Sequence, residues 1–148
     1  MNCTFFGHKD TPLNVKEKLK VAILDLVDNH GVKNFLVGNN GNFDSMAQRV
    51  LKEVIRSRDD VTFSIVLSRI DEKALTDNQE MTVFPEQLEN VLARFAISKR
   101  NDWLIKNSDF AITFVKYTCT NAYKLMNKAL KRGLFVVNIF SSNVDICK

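Results

Sequence analysis

The stretch F-L-V-G-N-N-G-N-F-D-S-M-A, Phe35 to Ala47, leaves an apolar strand-like run, passes Gly38 and Gly41, and enters a helical pattern. Backbone N–H groups at such a helix start, with no side chain in the way, suit a phosphate or another anion. Working outward, C-T-F-F-G-H-K-D-T-P (Cys3 to Pro12) makes the same passage through Gly7. F-V-K-Y-T-C-T-N-A-Y-K (Phe114 to Lys124) stands at a corresponding place but holds no glycine. In open α/β sheets ligands bind outside the carboxyl ends of the strands, where the strand order reverses. One crevice can therefore collect all three loops.

The rest of the chain alternates strand and helix signals. Cys3 to Phe6 reads as a strand, and Thr11-Pro12 as a helix start with Thr11 at the N-cap. Leu19, Ala22, Ile23, Leu26 and Val27 form one buried stripe, and Gly31 a left-handed stop. Asn34 to Val37 is the second strand, and Met46, Ala47, Val50, Leu51, Val54 and Ile55 stripe the second helix. Val61 to Leu67 is a β-branched third strand. A new helix start is read at Phe84-Pro85-Glu86, running through Leu88, Val91, Leu92 and Phe95, with Ala96 to Ile105 as a separate helix. Asp109 to Val115 and Leu134 to Phe140 are further strands, separated by a helix striped from Ala122 to Leu130 and ended by Gly133. The pattern predicts an α/β fold: a three-layer, Rossmann-like open sheet, mostly parallel, of about five strands with helices on both faces. No linker or repeat interrupts it, so a single domain over residues 1–148 is expected.

Composition narrows the function classes. An apolar fraction of 45% and a charged fraction of 26% are those of an ordinary globular chain. The formal charge of +4 favours phosphate without demanding nucleic acid, because the basic residues are dispersed along helices. No apolar run approaches the roughly 18 residues that span a bilayer, so no membrane partner is expected. The start of the chain lacks a signal-peptide pattern, and Cys3, Cys119 and Cys147 form no spaced motif. A cytoplasmic location with reduced thiols is the expectation. His8 and His30 have no Cys or His at metal-ligand spacing, so no metal site is expected.

Each candidate residue has a functional and a plain reading. Gly7 admits a phosphate or only turns the chain; His8 and Lys9 donate to that phosphate or face solvent. Gly38, Asn39 and Gly41 orient backbone N–H groups. Asp44 caps the helix, or accepts from a ribose hydroxyl or an arginine. This spacing is not the G-x-G-x-x-G dinucleotide fingerprint. Arg100, in S-K-R-N-D-W, pairs with a phosphate or site carboxylate, or with Asp102 or Asp109 at the surface. Thr118 and Thr120 offer hydroxyls to an anion or cap a helix. Cys119 has no His near it in sequence and is a poor nucleophile candidate. Ser68 to Val83 reads as a lid carrying Arg69, Asp71 and Glu72, or as a surface excursion.

The chain resembles the SLOG superfamily, and within it the YpsA-like branch. The resemblance rests on T-F-F-G-H-K, V-G-N-N-G-N-F-D-S-M-A, F-A-I-S-K-R-N-D-W-L-I-K-N-S-D-F-A-I and A-L-K-R-G-L-F-V-V-N-I. It implies a Rossmann-like fold, a nucleotide or nucleotide-derived ligand, and a pocket at Gly7, Gly38, Gly41, Asp44 and Arg100. More distant relatives are the Lonely Guy phosphoribohydrolases, which cleave the N-glycosidic bond of a nucleoside monophosphate, and the DNA-processing protein A family, which binds single-stranded DNA. Those hydrolases carry P-G-G-x-G-T-x-x-E after the fourth strand. Here Lys116 to Tyr123 has neither the glycines nor the glutamate. A single-stranded DNA site would need a concentrated basic groove with interleaved aromatics, and none is legible. A nucleotide or nucleotide-sugar binder is thus the first expectation. An N-glycosidic hydrolase or transferase using Glu86, Glu89 or Asp44 is the second. No cofactor is identified beyond that bound nucleotide; the sequence allows a homo-oligomer without requiring one.

Overall fold

The computed structural model describes residues 1–68 and 82–140. Among these, six strands form one sheet in which every pairing is parallel. They are β1 (Asn2–Gly7), β2 (Asn34–Val37), β3 (Thr62–Val66), β4 (Thr82–Val83), β5 (Phe110–Phe114) and β6 (Phe135–Asn138), in the order β4-β3-β2-β1-β5-β6. The expected Rossmann-like α/β architecture is present, with one strand more than the five read from sequence. The addition, β4, is two residues long and is held as an edge by Leu67 N–H, which donates to the Val83 carbonyl at 2.9 Å.

β1 is central because its residues are apolar on both sides. Phe5 pairs in register with Ile112, and Phe6 with Thr113. Successive side chains of a strand point to opposite faces. Phe5 and Ile112 accordingly join the core under α1 (Lys16–His30) and α2 (Asn42–Ser57), where Leu19, Ile23, Phe35, Val50 and Leu51 are buried. Phe6 and Ala111 face the other way. There they meet Leu104 and Ile105 of α3 (Ala93–Lys106) and Ala129 of α4 (Asn121–Lys131). Each fully buried Leu or Phe contributes on the order of 1.5–3 kcal/mol, so packing rather than helix propensity holds these helices down.

Two predicted helix starts are corrected. Pro12 is extended and precedes a single 3-10 turn (Leu13–Val15), and α1 begins only at Lys16. Thr11 is no N-cap: its hydroxyl donates to the His8 carbonyl at 2.6 Å and closes the loop after β1. After Pro85 the chain makes only a 3-10 turn (Glu86–Leu88), and one α-helix begins at Ala93. The spacing of Leu92 and Phe95 imitates a buried stripe, yet both are exposed. Gly31 does take the left-handed stop of α1 at φ 70°, with Val32 N–H reaching the Leu26 carbonyl. The lid reading for Arg69, Asp71 and Glu72 lies outside the described residues. No described helix is long and apolar enough to cross a membrane.

The chain runs outward from β1 through β2 and β3 to β4, then returns through α3 to β5 on the other side of β1. The strand order reverses between β1 and β5, and their carboxyl ends meet at Gly7 and Phe114.

Candidate functional site

At that reversal point lies a cavity of about 260 Å³. Its walls are the loop after β1 (Gly7 to Asp10), Asn40 and Asp44 beyond β2, Ile97, Arg100 and Asn101 of α3, and the first turn of α4 with Thr120. Leu104, Ala122 and Leu125 make one side apolar.

The floor is polar and buried. Arg100 is 2% exposed, Asn101 5% and Asp44 8%, although groups of these types seldom leave water unless partnered. Arg100 Nε donates to Asn101 Oδ1 at 3.1 Å; its Nη1 donates to Asn39 Oδ1 at 3.1 Å and to the Val66 carbonyl at 3.4 Å. These bonds tie α3 to the ends of β2 and β3. Asp44 Oδ2 accepts from Asn40 N–H at 3.0 Å. It therefore folds the loop after β2 over itself instead of capping α2, whose N-cap is Gly41. Burial pushes the Asp44 carboxyl up to about 6, against the lowering influence of Arg100 and of Asn40 N–H. Burial likewise lowers Arg100 from its ordinary value, and Asp44 opposes the shift. For both groups desolvation outweighs their mutual attraction. Among the described residues Arg100 closes no ion pair; Asp102 instead pairs with Lys128, and Asp109 accepts from Asn2 N–H.

The glycines serve this floor by what they leave out. A Cβ on Gly38 would stand 2.7 Å from Asp44 Oδ2 and 2.8 Å from Arg100 Nη1, so both groups use the space a side chain would fill. Gly41 has φ 94°, and a Cβ there would meet Lys9 Cα at 2.9 Å. The close approach is locked by Asn42 N–H, which donates to the Lys9 carbonyl at 2.8 Å. At Gly7 the missing side chain makes room for the ring of Phe43, not for the cavity.

His8 is buried and is neither a surface group nor, at Nε2, a donor. That nitrogen accepts from Lys116 N–H at 2.8 Å, which fixes a neutral ring with its proton on Nδ1. Burial, the largest influence, and the nearby Lys116 charge lower its pKa below 6.5, while Asp10 opposes them. His8 thereby pins the loop after β1 to the loop after β5.

Thr120 lines the cavity, but its hydroxyl is the N-cap of α4, accepting from Tyr123 N–H at 3.2 Å. Thr118 is half-buried in the same loop and is not among the lining residues. Glu86 and Glu89 are exposed on the 3-10 turn after Pro85, also outside the lining. Cys119 is not a free thiol, which leaves it no thiolate for attack. Cys3 is free and buried, and burial pushes its thiol well above the ordinary range. Among the described residues no group of three or more His, Cys, Asp or Glu is placed to hold a metal ion. Sequence reasoning gave Asn101 no role. Its signal was an amide beside Arg100 within an otherwise apolar helical stretch.

No family model matches the chain, and no curated protein matches it in sequence. Among solved structures it is similar to the X-ray structure of DNA processing protein A from Streptococcus pneumoniae, with a TM-score of 0.70 and 15% identity. The match covers 97% of this chain and 52% of that one, so this chain spans about half the length of the protein it resembles. At this identity the likeness is one of fold: the Rossmann-like open parallel sheet.

Proposed function

We propose that this chain is a nucleotide- or nucleotide-sugar-binding domain of the sensor type, with its ligand in the cavity between the loops after β1 and β2 and the start of α4. One observation carries the reading: Asp44, Arg100 and Asn101 are buried and polar, with side-chain atoms left unbonded among the described residues, at the floor of a cavity where the strand order reverses. The SLOG resemblance, in its YpsA-like branch, points to two of these residues, Asp44 and Arg100. At about 260 Å³ the cavity is slightly smaller than typical small-molecule sites, which suits a sugar and part of what it carries.

Calorimetry with the four common ribonucleoside monophosphates tests the proposal. Asn121 is exposed at the cavity mouth, so Asn121→Trp covers the opening without entering the core. Binding to the wild type that falls at least tenfold in Asn121→Trp, at unchanged melting temperature, is the expected result. Equal binding by both proteins removes the ligand from this cavity, and no binding by either removes the nucleotide reading.

A second reading is favoured by the raised pKa of Asp44. A carboxyl near 6 in a cleft is suited to proton transfer at neutral pH, as an N-glycosidic hydrolase or transferase would need. Of the three carboxylates considered from sequence, Asp44 lines the cavity and Glu86 and Glu89 do not. Release of free base from a monophosphate, lost in Asp44→Asn, is its chromatographic signature. Retention of single-stranded DNA by the wild type would instead favour the nucleic-acid reading.

A further inference from the structure

The floor of the cavity carries charges of both signs, and this limits what can sit on it. Asp44 Oδ2 and Arg100 Nη1 lie 2.7 Å and 2.8 Å from the one point where a Gly38 Cβ would stand. Three polar atoms there have no hydrogen-bond partner among the described residues: Asp44 Oδ1, Arg100 Nη2 and Asn101 Nδ2. All three residues line the cavity. The floor therefore presents one charged acceptor beside two donors, all from side chains more than nine-tenths buried.

A phosphate matches this set poorly. It is acceptor-only, so it would satisfy the donors while bringing its negative charge against a buried carboxylate. A hydroxyl both donates and accepts. Two adjacent hydroxyls on one ring can give a proton to Asp44 and take bonds from Arg100 and Asn101, with no new charge buried. Among the described lining residues the other cation is Lys9, at the mouth, where Asp10 stands beside His8.

We infer that the floor of Asp44, Arg100 and Asn101 is a subsite for the vicinal hydroxyls of a pentose, and that any phosphate of the ligand is held away from Arg100, at the mouth near Lys9. The inference rests on the nucleotide reading above and fixes the ligand's orientation within it: sugar edge inward, phosphate outward.

The test uses the wild-type protein and titrates AMP, adenosine, 2′,3′-dideoxyadenosine and its monophosphate, inorganic phosphate, ribose and ribose 5-phosphate, followed by NMR shifts. Removing both hydroxyls should weaken binding roughly tenfold or more, with and without the phosphate. Arg100→Gln should weaken AMP and adenosine by the same factor, whereas Lys9→Gln should weaken AMP and leave adenosine unchanged. The dideoxy arm needs no variant, so a misfolded Arg100→Gln does not blunt the test. Equal affinity for ribo and dideoxy compounds overturns the inference and leaves nucleotide binding standing, with a base edge or phosphate on the floor. An AMP-specific loss in Arg100→Gln also overturns it. Binding of ribose and ribose 5-phosphate without any nucleotide supports the subsite and sinks the nucleotide reading. No binding by any compound sinks both.

Discussion

The loops after β2 and β5 occupy equivalent places at the carboxyl edge of one sheet, yet they are fixed by opposite means. The loop after β2 gives up side chains: Gly38 leaves room for a carboxylate and a guanidinium, and Gly41 lets Lys9 approach. Polar groups are buried in the space gained. The loop after β5 has no glycine and is held by side chains acting on backbone. His8 Nε2 accepts from Lys116 N–H, and the Asn138 amide clamps Val115, accepting from its N–H at 3.0 Å and donating to its carbonyl at 3.1 Å. Its own Tyr117 is left exposed. A fold can thus build a site with one loop and merely frame it with another. The residue types differ accordingly, small and amide in the first, capping and aromatic in the second.

Three substitutions test that contrast. Gly38→Ala should have the largest effect, because its methyl group would displace the Asp44 carboxylate and the Arg100 guanidinium that share that space, breaking their bonds to Asn40 and Asn39. A loss of about 2–3 kcal/mol in urea unfolding is expected, together with loss of ligand binding. A neutral result would mean that the floor is looser than the contacts around Gly38 imply. Thr120→Ala removes the α4 cap and the hydroxyl's bond to the Tyr117 carbonyl, and should cost about 1 kcal/mol, recovered by Thr120→Ser, with ligand affinity changed less than threefold. A large affinity loss would move the loop after β5 from frame to site.

The smallest effect is expected from His8→Gln, read as a function of pH. The folded pKa of His8 lies below its ordinary 6.5, so the stability it contributes is present above that value and is lost as pH falls through the folded one. A protonated imidazole cannot accept from Lys116 N–H, whereas glutamine offers an acceptor that does not titrate. The melting temperature of His8→Gln should therefore rise relative to wild type as pH falls from about 7.5 to about 5, by less than ~1 kcal/mol equivalent. A pH-independent difference would mean that the bond does not hold the two loops together.

Much of the architecture was legible because long runs obey one period. The stripe from Leu19 to Val27 and the β-branched Val61 to Leu67 each leave little choice of element. β4 was not legible: two residues at the end of a polar segment carry no period, and only the Leu67 bond to Val83 makes them a strand. The region from Phe84 to Phe95 misled because helical spacing says which residues share a face, not whether that face is covered. At the site, Arg100 stood out as a charge within an apolar helical stretch, Asp44 as a cap or acceptor at a helix start, and Gly38 and Gly41 as paired loop glycines. What could not be read was direction. That Gly7 accommodates Phe43, that His8 accepts instead of donating, and that the Glu86–Leu88 turn leaves Glu86 and Glu89 outside the cavity lining all depend on contacts between distant segments.

The position of β1 has a consequence for how the site comes into being. Its two neighbours arrive at very different times. β2 follows after one helix, but β5 pairs with it only after most of the chain has been made; Asn2 and Asp109, bonded in both directions, are 107 positions apart. Contacts of such separation are slow to form because a long loop must close before they repay it. The cavity lies on that seam, so the polar floor is sheltered only once β5 has paired with β1. Until then the emerging chain carries an exposed flank of β1, Phe5 and Phe6 included, that is a ready partner for strands of other chains. The sheltered cavity and protection from aggregation therefore arrive together, when β5 slots in beside β1.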